Sequence, residues 1–206
     1  MEMADFTVHL VDDEETVRKS LAFMLTMNDF SVRVHESATQ FLKVAPQLKA
    51  AVLVTDLRMP DMSGVQLIQQ VNALKLKIPA IVMTGHGDVP MAVEAMKAGA
   101  VDFIEKPFED EVMMGAIRAA AAQITPDGES GDDADIVLER LASLTDRERQ
   151  VFAAVVSGLP NKSIAYDLDI SPRTVEVHRA NVMSKMQARS LPQLVRMALA
   201  AGISAS

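Results

Sequence analysis

The sequence predicts two folds in series: an α/β domain with a five-stranded parallel sheet, doubly wound so that helices cover both faces, then a small all-α domain of four helices. Three observations lead there. Through residue 124, apolar strand-like runs alternate with segments of helical period. "TPDGESGDDAD" (125–135) then interrupts the pattern with Pro126, Gly128, Gly131 and a run of acids, as a solvated linker does. Beyond it only helix starts and stops recur. The predicted division is 1–124, a linker over 125–135, and 136–206.

Each element has its own signal. "FTVHLV" (6–11) reads as a strand, and the helix after it places Val17, Leu21, Met24 and Leu25 at helical spacing. "SVRVH" (31–35) is a strand and "ATQFLKVA" a short helix; "AVLVTD" (51–56) is a buried strand and "GVQLIQQVNAL" a helix. "AIVMTG" (80–85) leads into "DVPMAVEAMKAG", a helix that Gly99 stops as a left-handed cap. "VDFIEK" (101–106) is the fifth strand and "EDEVMMGAIRAAAAQI" the fifth helix. In the back half, Thr145 and Glu148 form a capping box ahead of a helix that Gly158 ends, and "LPNKSIAYDLDI" holds a short second helix. "SPRTVEVHRANVMSKM" opens with Ser171 as N-cap and Pro172 at the first helical position, and Ser190 with Gln193 box the start of the last helix.

The chain has 206 residues, enough for two small cores. Although 49% of it is apolar, no uninterrupted run approaches the roughly 18 residues of a membrane span. The acidic N-terminus runs straight into a strand, unlike a secretory signal. With no cysteine, the chain has neither disulfides nor thiolate chemistry, as suits a cytoplasmic protein. The net charge of −8 is uneven: residues 1–135 hold 22 acids against 11 Lys/Arg, and residues 136–206 hold 6 against 9. An acidic front and a basic back predict different partners.

Open parallel sheets bind ligands beyond the C-terminal ends of their strands. Those ends carry Asp12 and Asp13, Asp56, Thr84 and Lys106. Taken singly, each has a plainer reading: Asp12-Asp13 as a helix cap, Thr84 as a strand end, Lys106 as a solvated lysine. Together, three carboxylates repel unless a cation sits among them, and oxygen ligands suit Mg²⁺. A hydroxyl and an ammonium beside that cation are what a phosphoryl group needs, which leaves the central Asp56 as nucleophile for an acyl phosphate.

At this point residues 5–124 resemble a response-regulator receiver domain of the flavodoxin/CheY-like fold, through "VDDEE", "TDLRMPDMSG" and "TGHGDVPMAVEAMKAGAVDFIEKPF". The resemblance implies Asp56 as phosphoacceptor. It implies Mg²⁺ held by Asp13 and Asp56, by Asp12 through water and by the main-chain carbonyl of Arg58. It further implies Thr84 and Lys106 on the phosphoryl group, a cis Lys106–Pro107 peptide, and a switch formed by Thr84 and Phe103. Arg58 and His86, each two residues beyond a site residue, are placed to modulate phosphoryl lifetime. The bland readings are a core strand position for Phe103 and a loop position for His86.

On a helical wheel of the 171–186 segment, Val175, Val182 and Met186 share one side, with His178 nearby as a hydrogen-bonded core histidine. Arg173, Val177, Ala180, Asn181 and Ser184 share the opposite side, small and polar enough to enter a major groove, while Arg179 and Lys185 flank the stripe and suit phosphates. Residues 138–203 resemble the LuxR-type helix-turn-helix, carried by Glu148, Gly158, Asn161-Lys162, Ile164-Ala165, Ser171, Thr174-Val175 and His178. The candidate DNA-binding set is Lys162, Arg173, Thr174, Val177, Arg179, Asn181 and Lys185. Family members often carry a basic residue where this chain has Glu176 and Ala180, so the operator stays open. The family also uses its last helix, here around Leu194, Val195 and Leu199, as a dimer contact; in isolation these residues read equally well as core.

Receiver plus LuxR-type domain is the NarL/FixJ class of two-component regulators. Resemblance to its nitrogen-fixation members implies a non-enzymatic, phosphorylation-activated transcription regulator with an oxygen-responsive sensor histidine kinase, promoter DNA and RNA polymerase as partners. It implies a homodimer when phosphorylated, built on the face from Met91 to Ile104 with Val93, Met96 and Val101. The alternative is a phosphorylation-independent DNA-binding protein with a vestigial receiver. A Mg²⁺-dependent phosphohydrolase wants an acid at position 58, where this chain has Arg.

Overall fold

The computed structural model describes residues 6–85, 88–124 and 134–203. The chain divides into two compact units. The 125–133 part of the expected linker, and His86, lie outside the described residues.

The first unit is a five-stranded parallel sheet: β1 (Thr7–Val11), β2 (Ser31–His35), β3 (Ala51–Asp56), β4 (Ala80–Thr84) and β5 (Asp102–Glu105), in the order β2-β1-β3-β4-β5. Helices α1 (Glu15–Met27), α2 (Ala38–Val44), α3 (Gly64–Ala73), α4 (Val89–Lys97) and α5 (Asp110–Ala121) follow the strands in turn, with a 3₁₀ turn (Ala45–Gln47) after α2; of these, α4 groups with the second unit, which takes in Asp88–Lys97 together with the C-terminal helices. Val8, Leu10, Val52, Val54, Ile81, Met83 and Ile104 form the apolar face that packs on Leu25 of α1 and Met113, Ala116, Ile117 and Ala120 of α5. α2 and α3 contact the sheet as well. All six residues of β3 are buried, as a central parallel strand requires. The strand order reverses between β1 and β3, so the crevice for a ligand opens beyond Val11 and Asp56.

Gly99 has φ of 101°, the left-handed stop its position predicted. Gly64 serves a different need. A Cβ there would collide with the Asp56 carbonyl oxygen, so only glycine lets α3 start this close to β3.

The second unit holds the four expected helices, α7 (Asp146–Val156), α8 (Asn161–Asp167), α9 (Pro172–Met186) and α10 (Leu191–Ala200), preceded by a further one, α6 (Ala134–Ala142). The 134–142 segment carries no cap signal. α6 belongs to the fold through Val137, which is fully buried, and through Arg140, which donates to the Met186 carbonyl at 3.2 Å, an orphan acceptor at the C-terminus of α9, and to the Gln187 side-chain Oε1 at 3.0 Å. The Thr145/Glu148 capping box forms as expected. The turn between α8 and α9 passes through Asp169 at φ 52°, a left-handed position that Asp tolerates better than most residues.

Candidate functional site

β1 and β3 end side by side in register, Val11 opposite Thr55, so their next residues, Asp12 and Asp56, emerge together at the crevice. Asp12 is 1% exposed and Asp56 9%. Burying two carboxylates this close demands a positive charge, and Lys106 supplies it. Its ammonium donates to Asp12 Oδ2 at 2.9 Å and to Asp56 Oδ1 at 2.8 Å. Burial alone would depress the Lys106 pKa; the bonds to Asp56 and Asp12, and their charges, outweigh it and hold the ammonium above its usual range.

The remaining oxygens are also fixed. Asp56 Oδ2 accepts the Arg58 amide at 2.7 Å, and Asp12 Oδ1 accepts the Glu14 amide at 2.8 Å. That second bond resembles the capping role Asp12 has as a lone residue, but here it leaves Oδ2 for Lys106. Thr84, at the end of β4, is buried, and the Lys106 amide donates to its carbonyl at 2.7 Å, so Thr84 and Lys106 are locked as neighbours. The Lys106–Pro107 peptide is cis. Phe103 is half-buried on β5, and Arg58 is exposed at the mouth of the site.

The donors suit a hard divalent cation: carboxylates of Asp12, Asp13 and Asp56 and the Arg58 carbonyl are all oxygen ligands. The Lys106 ammonium already marks a point where positive charge is held between two of these carboxylates. The third, Asp13, is exposed. Among the described residues no three acidic or histidine side chains are gathered closely enough to enclose a metal ion by themselves.

Sequence reasoning missed two supports of the site. Arg18 donates to the Asp12 carbonyl at 2.7 Å, one helical turn into α1. Asp61 in the β3–α3 loop accepts from Thr39 at the start of α2. The Arg18 bond follows from local spacing; the Asp61 bond joins residues 22 apart and has no sequence signal. A buried His9–His35 pair, 2.9 Å between ring nitrogens and stacked beside Phe41, was also unforeseen.

In the helical unit, Val175, Val182 and Met186 are buried, and Arg173, Glu176, Val177, Ala180, Asn181 and Ser184 are exposed, so α9 presents the outward face its periodicity predicted. Lys162 is exposed on α8. Three members of the candidate set stand elsewhere. Lys185 holds buried Glu148 at 2.6 Å and the Ser143 carbonyl at 3.3 Å. Arg179 is half-buried and donates to Asn161 Oδ1 at 2.6 Å. Thr174 is engaged in the N-cap, its hydroxyl 2.8 Å from that of Ser171. In each case a neighbouring polar group has claimed the side chain, which a wheel drawn on α9 alone does not show. His178 departs from expectation differently: its Nδ1 is buried without a hydrogen-bond partner. Of the apolar residues expected at dimer faces, Val93, Met96, Val101, Leu194 and Val195 are buried, and Leu199 is exposed.

Comparison with known proteins follows the same division. The response regulator receiver domain matches residues 8–118, and the bacterial regulatory proteins of the luxR family match residues 142–198. The chain is 68% identical over 204 residues to the transcriptional regulatory protein FixJ of Rhizobium meliloti (strain 1021), covering 99% of this chain and 100% of that one. It is 54% identical to the FixJ of Azorhizobium caulinodans over 95% of this chain and 93% of that one. Among solved structures, full-length FixJ from B. japonicum covers 98% of this chain and 99% of its own at 47% identity, with a TM-score of 0.59.

Proposed function

Because this chain belongs to the response regulators, as a receiver domain followed by a LuxR-type DNA-binding domain, we propose that Asp56 is the phosphoacceptor of a transcription switch that responds to a sensor histidine kinase. The observation that carries the reading is the convergence of Asp12 and Asp56 on the Lys106 ammonium, with buried Thr84 locked beside it.

The chemistry follows from that arrangement. An Asp56 carboxylate oxygen attacks phosphorus, an O–P bond forms, and the P–N bond to the kinase histidine breaks, its electron pair returning to that ring nitrogen while a proton on the other ring nitrogen lets the imidazole leave neutral. The Arg58 amide and the rigid end of β3 fix the carboxylate for in-line attack. Asp13, Asp56 and the Arg58 carbonyl, with Asp12 through water, would hold Mg²⁺, which would supply charge neutralisation for the phosphoryl oxygens. Lys106 moves its positive charge onto the new phosphoryl group, and the Thr84 hydroxyl donates to it. Movement of Thr84 draws Phe103 inward and reports the event along β5. Arg58 and His86 tune the lifetime of the acyl phosphate.

The output is DNA binding in the cytoplasm. Arg173, Val177 and Asn181 face the bases, with Lys162 on phosphate. Lys185, Arg179 and Thr174 act through the fold, holding the helices in place. Phosphorylation promotes a homodimer that sets two helix-turn-helix units on adjacent half-sites and recruits RNA polymerase. The resemblance in "TGHGDVPMAVEAMKAGAVDFIEKPFED" supports an oxygen-responsive kinase and nitrogen-fixation or microaerobic target genes.

Sedimentation of the protein with Mg²⁺, before and after acetyl phosphate, tests this. A phosphate-dependent gain in mass that Asp56→Asn abolishes is the expected result. DNA binding indifferent to both acetyl phosphate and Asp56 would favour the vestigial-receiver alternative.

A further inference from the structure

The loop after Asp56 is held at two places. At its base, the Gly64 amide donates to the Leu57 carbonyl at 2.9 Å, and the Leu57 amide to the Met83 carbonyl at 2.8 Å. On its far side, Asp61 reaches α2: Oδ2 accepts both the amide and the hydroxyl of Thr39, each at 2.8 Å. The same carboxylate takes the Met62 amide. The anchor is a fixed one, because Ala38 and Phe41, on either side of Thr39, are fully buried. Between the two tethers lies Arg58, whose amide pins Asp56 Oδ2 at 2.7 Å.

A carbonyl ligand works only where its loop holds it. Backbone that must be ordered at the moment of binding weakens the complex, and backbone ordered beforehand does not. The Asp61–Thr39 contact does that ordering, and it is charge-assisted, the stronger kind of hydrogen bond.

We propose that Asp61 and Thr39 form a latch that pre-positions the Arg58 carbonyl and amide for Mg²⁺ binding at Asp56. Both are positioning residues, and neither touches the phosphoryl group. The proposal rests on the phosphoacceptor reading and adds to it a determinant outside the acidic cluster.

Calorimetric Mg²⁺ titration of the full chain, with hydrogen exchange of the metal-free protein, tests it. Asp61→Ala removes the acceptor and is expected to weaken Mg²⁺ binding about fivefold, somewhat below the range usual for partners that orient metal ligands, because the latch is exposed. In the same variant the Arg58 and Gly64 amides exchange faster. Thr39→Val keeps the amide donor and loses the hydroxyl, for about a twofold effect, half of the two-bond tie. Thr39→Ser keeps both donors and retains wild-type affinity. Unchanged Mg²⁺ affinity and exchange in Asp61→Ala, with only a lower melting temperature, would overturn the latch and leave the phosphoacceptor reading intact. A wild-type chain that binds no Mg²⁺ would overturn both.

Discussion

Lys106 in the receiver and Lys185 in the helical unit are each bound to buried acid, at 2.8 and 2.9 Å in one case and 2.6 Å in the other. Their surroundings differ in charge balance. One ammonium serves two carboxylates at Lys106, so the cluster keeps a negative charge that a cation can satisfy and a phosphoryl group can rearrange. Lys185 meets one carboxylate, Glu148, whose Oε2 also accepts the Thr145 amide at 2.9 Å, and the set is closed. The same pair chemistry thus makes a site in one unit and a rivet in the other. An unbalanced cluster marks function more reliably than an ion pair does.

Opposite responses to the loss of one negative charge would sharpen this contrast. The largest effect expected is from Asp56→Asn: phosphoryl uptake from acetyl phosphate is abolished by mass spectrometry. The melting temperature holds or rises, because Lys106 and Asp12 are then balanced. Glu148→Gln keeps an acceptor for Thr145 but strands Lys185, so its melting temperature falls. If both variants melted lower, the contrast would be broken.

Acid separates the two units next. His9 is held down to about 4 by burial, then by the charges of His35 and Arg33. Its folded pKa lies below its unfolded one, so its stabilisation is complete above pH 6.5 and is lost as pH falls toward 4, by at most about 3 kcal/mol. Glu148 is held down to about 2, first by the Lys185 bond and then by the Thr145 amide. Its stabilisation is present above pH 4.5 and fades between there and 2. The receiver is therefore expected to weaken before the helical unit. Urea unfolding at neutral pH and near pH 4, followed by hydrogen exchange in each unit, checks the order.

Lys106→Met leaves two carboxylates unpaired and is expected to cost about 2 kcal/mol, below the usual figure for a fully buried pair because Lys106 is part-exposed. Mg²⁺ should recover more melting temperature in this variant than in the wild type. Equal recovery would mean that the ammonium and the cation do not share a place. The smallest effect is at Lys162→Ala, the proposed lone phosphate contact: the slope of log affinity against log salt should shrink by about 1 without a change in sequence preference.

Much of this is legible in the sequence. Strand ends are readable from apolar runs, and a parallel sheet gathers its strand ends at one edge, so Asp12, Asp56, Thr84 and Lys106 could be placed together. The outward face of α9 followed from a period alone. Polar partnerships between elements could not be read this way. Glu148 was visible as half of a capping box, but its bond to Lys185 joins residues 37 apart. Asp61 looked like any turn residue until α2 was packed beside it. α6 escapes because its start carries no cap signal: Val137 is fully buried, but the bonds of Arg140 to the end of α9 join residues 46 and 47 apart.

The division of labour along α9 bears on how such regulators change over time. Val175, Val182 and Met186 hold the helix down, while Arg173, Val177, Ala180 and Asn181 carry no packing duty. Substitutions at the second group can therefore accumulate without threatening the fold. If these exposed positions read the bases, as proposed, promoter preference can be changed there without disturbing the scaffold, and the same four positions are where a designer would begin to retarget the protein to a new promoter.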